Sequence, residues 1–388
     1  MKRLLLLGGG HAHVHLIREF ARQPLGGAQV LLVSPYDRQM YSGMVPGIVA
    51  GHYAEDQGAI ALSPLARAAG VAFEQTQATA LDATRRIVTL ADGRVAEYDL
   101  LSLDVGGTIR RDAIPGAREN ALFVRPIESF IRHAQALVEL GSRRVLDIVV
   151  IGGGAAGVEL ALALEHRLAL GVDGRRRVPQ GAERARVALV SGGAGPLAGY
   201  PPGVVQRGLA ALARRRVTVF REACGAIEAH HVVLASGARL ACDAAIVATG
   251  ADASEWLAGS GLALDDRGFV LTGATLQSAS HPEVFAVGDC AARGDVVHPR
   301  SGVYAVRAGP PLLENLRLAL AGQPLRPHLP QPRTLNLISC GERRAIVSWA
   351  SIALQGRWAW WWKDRIDRGF IDRYTRRDGA ETTPVREA

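Results

Sequence analysis

Two clusters of glycine carry the first hint of chemistry in this chain. Gly152-Gly153-Gly154-Ala155-Ala156-Gly157 completes a G-x-G-x-x-G spacing between an apolar run, Leu146 to Ile151, and a helical pattern from about Ala155 to Leu170. At such a strand-to-helix turn, backbone N–H groups and the positive helix end face a pyrophosphate. Each glycine has its own role there. Gly152 makes the turn, Gly154 lets the phosphate approach, and Gly157 lets the helix pack closely. The N-terminal cluster, Gly8-Gly9-Gly10-His11-Ala12-His13, keeps Gly8 and Gly10 but has His13 in the third place. That histidine must point out of the helix–strand contact or accept a wider spacing. Two copies in one chain imply two similar ligands, both dinucleotides. The acid that usually ends the second strand and holds the adenine ribose is Ser34 in the first unit and Ser191 in the second, so the choice between NADH and NADPH stays open. His11, His13 and His15 fall at i, i+2 and i+4 of a helix start, which cannot place three imidazoles on one face, and no metal site is expected.

These turns need strands and helices to aim them. The first unit reads as a strand Arg3 to Leu7, a helix from about His11 to Arg22 and a strand Val30 to Val33; the second reads as Leu146 to Ile151, Ala155 to Leu170 and Val187 to Val190. Hairpin signals follow at Asp92-Gly93 and Ser236-Gly237, one per unit. Residues 171–183, rich in Arg, Gly and Pro, read as a loop, and Pro324, Pro327, Pro330 and Pro332 introduce a separate C-terminal piece. The fold class is therefore α/β, with two Rossmann-like, three-layer dinucleotide-binding domains and a small C-terminal α+β piece.

Composition agrees and excludes other classes. With 388 residues, 48% hydrophobic and 21% charged, the chain has room for two or three globular domains. Leu4 to Leu7 is too short for a signal peptide's apolar core, and no run reaches the length of a membrane-spanning helix. Cys224, Cys242, Cys290 and Cys340 show no CxxC spacing, which suits a reducing cytoplasm without a disulfide framework. The net charge of +8 leaves nucleic acid, an anionic membrane or simple arginine preference as readings, and the absence of any RNA or DNA module argues against nucleic acid.

Further motifs recur in order: Asp99-Leu100-Leu101-Ser102-Leu103-Asp104-Val105-Gly106-Gly107, Val247-Ala248-Thr249-Gly250 and Val284-Phe285-Ala286-Val287-Gly288-Asp289. Together with the two cradles they resemble the FAD-dependent pyridine nucleotide-disulfide oxidoreductase superfamily over nearly the whole chain. The stretch Gln39 to Gly47, where disulfide reductases carry their redox pair, has no cysteine. The sequence is accordingly more similar to the type II NADH dehydrogenases. Through Tyr41-Ser42-Gly43-Met44-Val45-Pro46-Gly47, Ser301 to Arg307 and Lys363 to Arg368 it most resembles the flavoprotein module fused N-terminally to selenide, water dikinase. No kinase segment follows, so dikinase activity is not expected.

The resemblance implies a discontinuous FAD domain, 1–115 with 265–323, an NAD(P)H domain, 116–264, and a C-terminal piece, 324–388. It assigns Gly8, Gly10, His11, Ser34, Ser42, Pro46, Gly106, Gly288 and Asp289 to FAD, with the Asp289 carboxylate on the ribitol. Gly152, Gly154, Gly157, Glu159, Ser191 and Gly250 fall to the nicotinamide dinucleotide. Glu159 would orient the nicotinamide; Tyr41 would line the flavin's acceptor side, and Arg307 would bond the flavin or an anionic acceptor. Hydride passes from NADH or NADPH when the two rings stack about 3–3.5 Å apart with water excluded. A quinone is the expected acceptor. A soluble reductase of selenium or sulfur metabolism and a non-enzymatic FAD-binding sensor are the alternatives.

At the C-terminus, Trp358, Trp362, Ile366, Phe370 and Tyr374 form an i, i+4 stripe with interleaved Arg and Lys. One reading is an interfacial helix over residues 357–377 that holds a cytoplasmic enzyme on the inner face of the membrane. The other is a cap on the protein's own flavin domain or a homodimer contact.

Overall fold

The computed structural model describes residues 1–170 and 185–375, so the expected loop at 171–183 lies outside the described residues. Strand β1 (Lys2–Leu7) is central among five parallel strands, ordered Val284–Ala286, β2 (Leu100–Leu103), β1, Ala28–Ser34 and Ala72–Gln75. A parallel strand covered on both faces needs apolar side chains at successive positions, which is why Leu4 to Leu7 form an unbroken buried run. Helix α1 (His11–Arg22) follows directly and buries Ala12, Val14, Leu16, Ile17 and Phe20.

Strand β3 (Asp147–Ile151) repeats the plan. It is central among Ala121–Phe123, Ala244–Val247, β3, Arg186–Val190 and Thr218–Phe220, all parallel, and leads into helix α2 (Ala155–Leu170). The two sheets differ at one edge. The first is closed by a strand from far downstream, Val284–Ala286, and the second by one from upstream, Ala121–Phe123. Each unit also carries the antiparallel insert expected from its turn signal, with Gly93 at φ +83° and Gly237 at φ +86° making the reversals.

Helix α3 (Gly302–Leu320) returns across α1, where Gly309 permits contact with the His15 ring: a Cβ there would lie 3.0 Å from it. Beyond the proline-rich stretch, an antiparallel sheet of Asn336–Cys340, Glu342–Trp349 and Ile352–Gly356 runs straight into helix α4 (Arg357–Thr375). The C-terminal piece is thus α+β, and α4 lies back over the Tyr41 turn.

Candidate functional site

In the first cradle the chain turns out of β1 at Gly8, φ +91°, where a Cβ would sit 2.3 Å from the Asp104 carbonyl oxygen. Gly10 precedes α1, and a Cβ there would be 2.2 Å from the Asp104 carboxyl carbon. No side chain of the turn caps the helix. Asp104, at the end of β2, does so from across the sheet: its Oδ2 accepts the N–H of Ala12 at 2.8 Å and of His13 at 3.1 Å. Burial pushes this carboxyl up to about 7 against the pull of the two amides.

His13 resolves the open question of the missing glycine by pointing into the contact. Its Nδ1 lies 2.6 Å from the Gly8 carbonyl and its Nε2 2.8 Å from the Ser102 hydroxyl, so the ring ties α1 to β1 and β2. Burial lowers it to about 4 and keeps it neutral. The three N-terminal histidines have separate neighbours. His11, also lowered to about 4 by burial, lies beside Gln39 and Tyr41, and His15 packs on Gly309.

Around the expected ribityl position, Gly106 (φ +70°) and Gly288 (φ +69°) make tight turns. The Asp289 carboxylate does not cap its own short helix; Oδ2 accepts from Arg125 Nη2 at 2.7 Å, and Arg125 Nη1 donates to the Gly107 carbonyl at 3.2 Å. Ser34 is buried, and its hydroxyl accepts the Tyr36 amide at 3.4 Å. These residues fit a flavin dinucleotide: the turn is stripped of side chains, Asp289 is held in place by Arg125, and the buried Gln39 Oε1 has no partner within the protein.

The second cradle is more open. Gly152, φ +135°, would bring a Cβ within 2.3 Å of the Ala248 carbonyl oxygen, and Gly157 within 1.9 Å of the Gly152 carbonyl oxygen, so neither tolerates a side chain. At Gly154 and Gly250 an added Cβ would meet nothing within 4 Å, leaving the space that a phosphate needs. The Ser191 hydroxyl donates to the Phe220 carbonyl at 3.1 Å.

Between the cradles the Tyr41 turn, Ser42–Met44, and the buried helix Val45–Val49 containing Pro46 abut the start of α3, where a Cβ at Gly302 would lie 3.1 Å from Ser42 Oγ. Glu159, from α2, accepts the Ser339 amide at 2.7 Å. Its burial pushes the carboxyl up to about 7, opposed by the charge of Lys363. Lys363 Nζ donates to the Gly43 carbonyl and to Asp367 Oδ2, each at 2.6 Å. Tyr41 stacks on Phe370 with centroids 4.3 Å apart, and burial beside Asp367 raises its phenol well above the ordinary value. Arg307 stays apart: it is exposed on α3 and makes no hydrogen bond or ion pair among the described residues.

The aromatic stripe of α4 is not a single face. Trp358, Trp362 and Ile366 are exposed, whereas Phe370 and Tyr374 are buried with Ala359, Trp360 and Ile371. Each i+4 step overshoots a 3.6-residue turn by about 40°, so four steps carry the stripe from solvent into the core. The later part of α4 packs on the protein's own core, and the exposed tryptophans belong to its first two turns. The reading from sequence missed Asp104, Arg125, Lys363 and Asp367. Only the i, i+4 spacing of Lys363 and Asp367 offered a local signal, and their burial was not foreseen.

The chain is 26% identical over 371 residues to demethylphylloquinone reductase NdbB of Synechocystis sp., covering 91% of this chain and 88% of that protein. It is 25% identical to the type II NADH:quinone oxidoreductase of Haemophilus influenzae, covering 78% and 77% of the two chains. The fold matches the sulfide:quinone oxidoreductase of Aquifex aeolicus with a TM-score of 0.77 at 18% identity, over 96% of this chain and 92% of that one. Residues 2–309 match the description of the pyridine nucleotide-disulphide oxidoreductases. With both cradles built for dinucleotides and no cysteine at the Tyr41 turn, the chain belongs to that family as an oxidoreductase that holds FAD and draws on NAD(P)H.

Proposed function

We propose that this protein oxidises NADH or NADPH and passes the electrons to a quinone taken from a membrane surface. One observation carries the reading: α4 sets Lys363 and Asp367 against the Tyr41 turn while exposing Trp358, Trp361 and Trp362. Trp349, Ile352 and Leu354, on the hairpin that leads into α4, are exposed as well, and Arg357 and Arg365 lie along the same segment. Aromatic rings with basic neighbours suit the headgroup boundary of a bilayer. No described helix is long and apolar enough to cross one.

Bound FAD supplies the two-electron chemistry between nicotinamide and acceptor. The chain's own residues do the rest. The 1–115 and 265–323 segments hold the flavin and 116–264 the nicotinamide nucleotide, a division supported by the two sheets. Glu159 orients the nicotinamide from α2. Oxidation of NADH by a quinone takes up one proton beyond the transferred hydride. Tyr41 and Asp367, both raised by burial, stand beside the turn where the acceptor docks as proton donors, with Lys363 bonded to Asp367 and Phe370 stacked on Tyr41. Arg307, exposed on α3 one turn along from Val303 and unpaired among the described residues, is a cation that we assign to an anionic acceptor or the reduced ring.

The test combines liposome flotation with turnover. The triple variant Trp358→Ser, Trp361→Ser, Trp362→Ser should lose flotation on anionic vesicles and oxidation of NADH by a long-chain vesicle-embedded quinone, yet keep turnover with a short-chain quinone. No quinone reduction by the wild-type holoprotein, or vesicle-independent turnover with the long-chain quinone, removes the proposal.

A further inference from the structure

Against the Gly288–Asp289 turn lies a cavity of about 30 Å³, and the flavoprotein reading gives no role to its remaining lining. It is bounded by one face of α3, including Tyr304 and Ala308, and by Arg293, Arg300, His328 and Gln331 from three different segments. Its volume exceeds the roughly 10–15 Å³ that a single water requires.

Its polar lining includes three residues with unused donors, Arg293, Arg300 and Gln331. The Arg293 side chain is only 4% exposed. Its Nε and Nη2 bond Asp295, and Nη2 also donates to the His328 carbonyl, while the buried Nη1 has no acceptor. Arg300 lies flat on Phe269, 3.5 Å from the ring centroid, and gives Nη2 to Asp265, while its buried Nε has no acceptor. The Gln331 amide nitrogen is likewise buried and unpartnered. Three residues lining one cavity thus each carry an unsatisfied N–H, two of them on guanidinium groups. A buried donor left in this state costs on the order of 1–3 kcal/mol, more when charged.

Each guanidinium already has one acid partner, Asp295 for Arg293 and Asp265 for Arg300, so it is the remaining N–H groups that are unused. Asp289 is the one carboxylate in the lining, and its Oδ2 is engaged by Arg125. Neutral waters can pair these donors, but a tetrahedral oxyanion offers charged acceptors to all three at once.

We infer that this cavity is a binding site for a small inorganic oxyanion of the phosphate or sulfate class, held by Arg293, Arg300 and Gln331 beside the flavin's ribityl turn. The inference concerns residues outside the electron path, so its failure would leave the proposed function untouched.

The test uses the FAD-loaded protein. Sodium sulfate should raise its melting temperature along a saturable curve, with sodium chloride at matched ionic strength giving no saturable rise. The effect should vanish in Arg293→Met and in Gln331→Leu while flavin content stays at the wild-type level. Should Arg293→Met fail to fold, Gln331→Leu alone decides. Crystals soaked in sodium selenate should show an anomalous selenium peak in the cavity. An equal response to chloride, a sulfate effect that survives in the folded variants, or a cavity filled by water alone would overturn the inference.

Discussion

The two cradles share a topology and solve the same packing problem by opposite means. In the second, Gly157 removes every side-chain atom, and α2 comes so close that a single Cβ would fall 1.9 Å from the Gly152 carbonyl oxygen. In the first, His13 occupies that place and its ring bridges the Gly8 carbonyl and the Ser102 hydroxyl. The helix start is handled differently as well. Asp104 takes the Ala12 and His13 amides in the first cradle, whereas an added Cβ at Gly154 meets nothing in the second. A permanently held cofactor suits a stiff, internally bonded turn, and a nucleotide that exchanges each turnover suits an open one.

Substitutions can break or sharpen this contrast. The largest effect is expected from His13→Gly, which restores the glycine fingerprint yet removes two hydrogen bonds and leaves a void. A loss on the order of 3 kcal/mol or more should appear in chemical denaturation, with flavin released on dialysis. A variant as stable as wild type would show that the ring is not a strut. Gly157→Ala should weaken nicotinamide nucleotide binding by on the order of 10- to 100-fold while the protein stays yellow, read as KM for NADH in steady-state assays. Equal loss of flavin would erase the distinction between the cradles.

The Asp104 carboxyl makes a pH-dependent prediction. Its folded pKa of about 7 lies above the ordinary 3.8, so between these values the native state holds a proton that the unfolded chain lacks. The group's contribution to stability therefore falls as pH rises through that window, by no more than about 1.4 kcal/mol per pH unit. Asp104→Asn keeps an acceptor for the two amides and removes the charge. Denaturation curves should show the variant gaining on wild type from about pH 4 to 7, with the difference level above that. If the FAD pyrophosphate meets this helix end as proposed, retention of FAD should decline with rising pH in wild type only. The smallest effect is expected from Ser102→Ala, about 1 kcal/mol in denaturation, because His13 keeps its bond to Gly8.

Much of this architecture was legible because it is local. The span of α1 follows from a glycine cluster and a 3.6-residue apolar period, that of α2 from its cluster and an unbroken run of helix-forming residues, and the two hairpins from Asp92-Gly93 and Ser236-Gly237. The site was legible only in outline. Asp104 lies 92 residues from Ala12, whose amide it accepts, and Lys363 lies 320 from Gly43, so no spacing rule could pair them. The Trp358 to Tyr374 stripe misled for a related reason: its period is real, but which arc of the helix meets the core depends on where the preceding hairpin delivers it.

By itself the sequence determined the repeated strand–turn–helix units, the glycines that empty the phosphate turns and the lack of a thiol pair at the flavin, since each depends on neighbouring residues alone. Only the tertiary structure decided that His13 faces inward, that Asp104 closes the helix start and that α4 divides itself between the Tyr41 turn and solvent. Those outcomes rest on contacts among β1, β2, α1 and α4, and burial and partner choice at such contacts arise only once distant segments have packed.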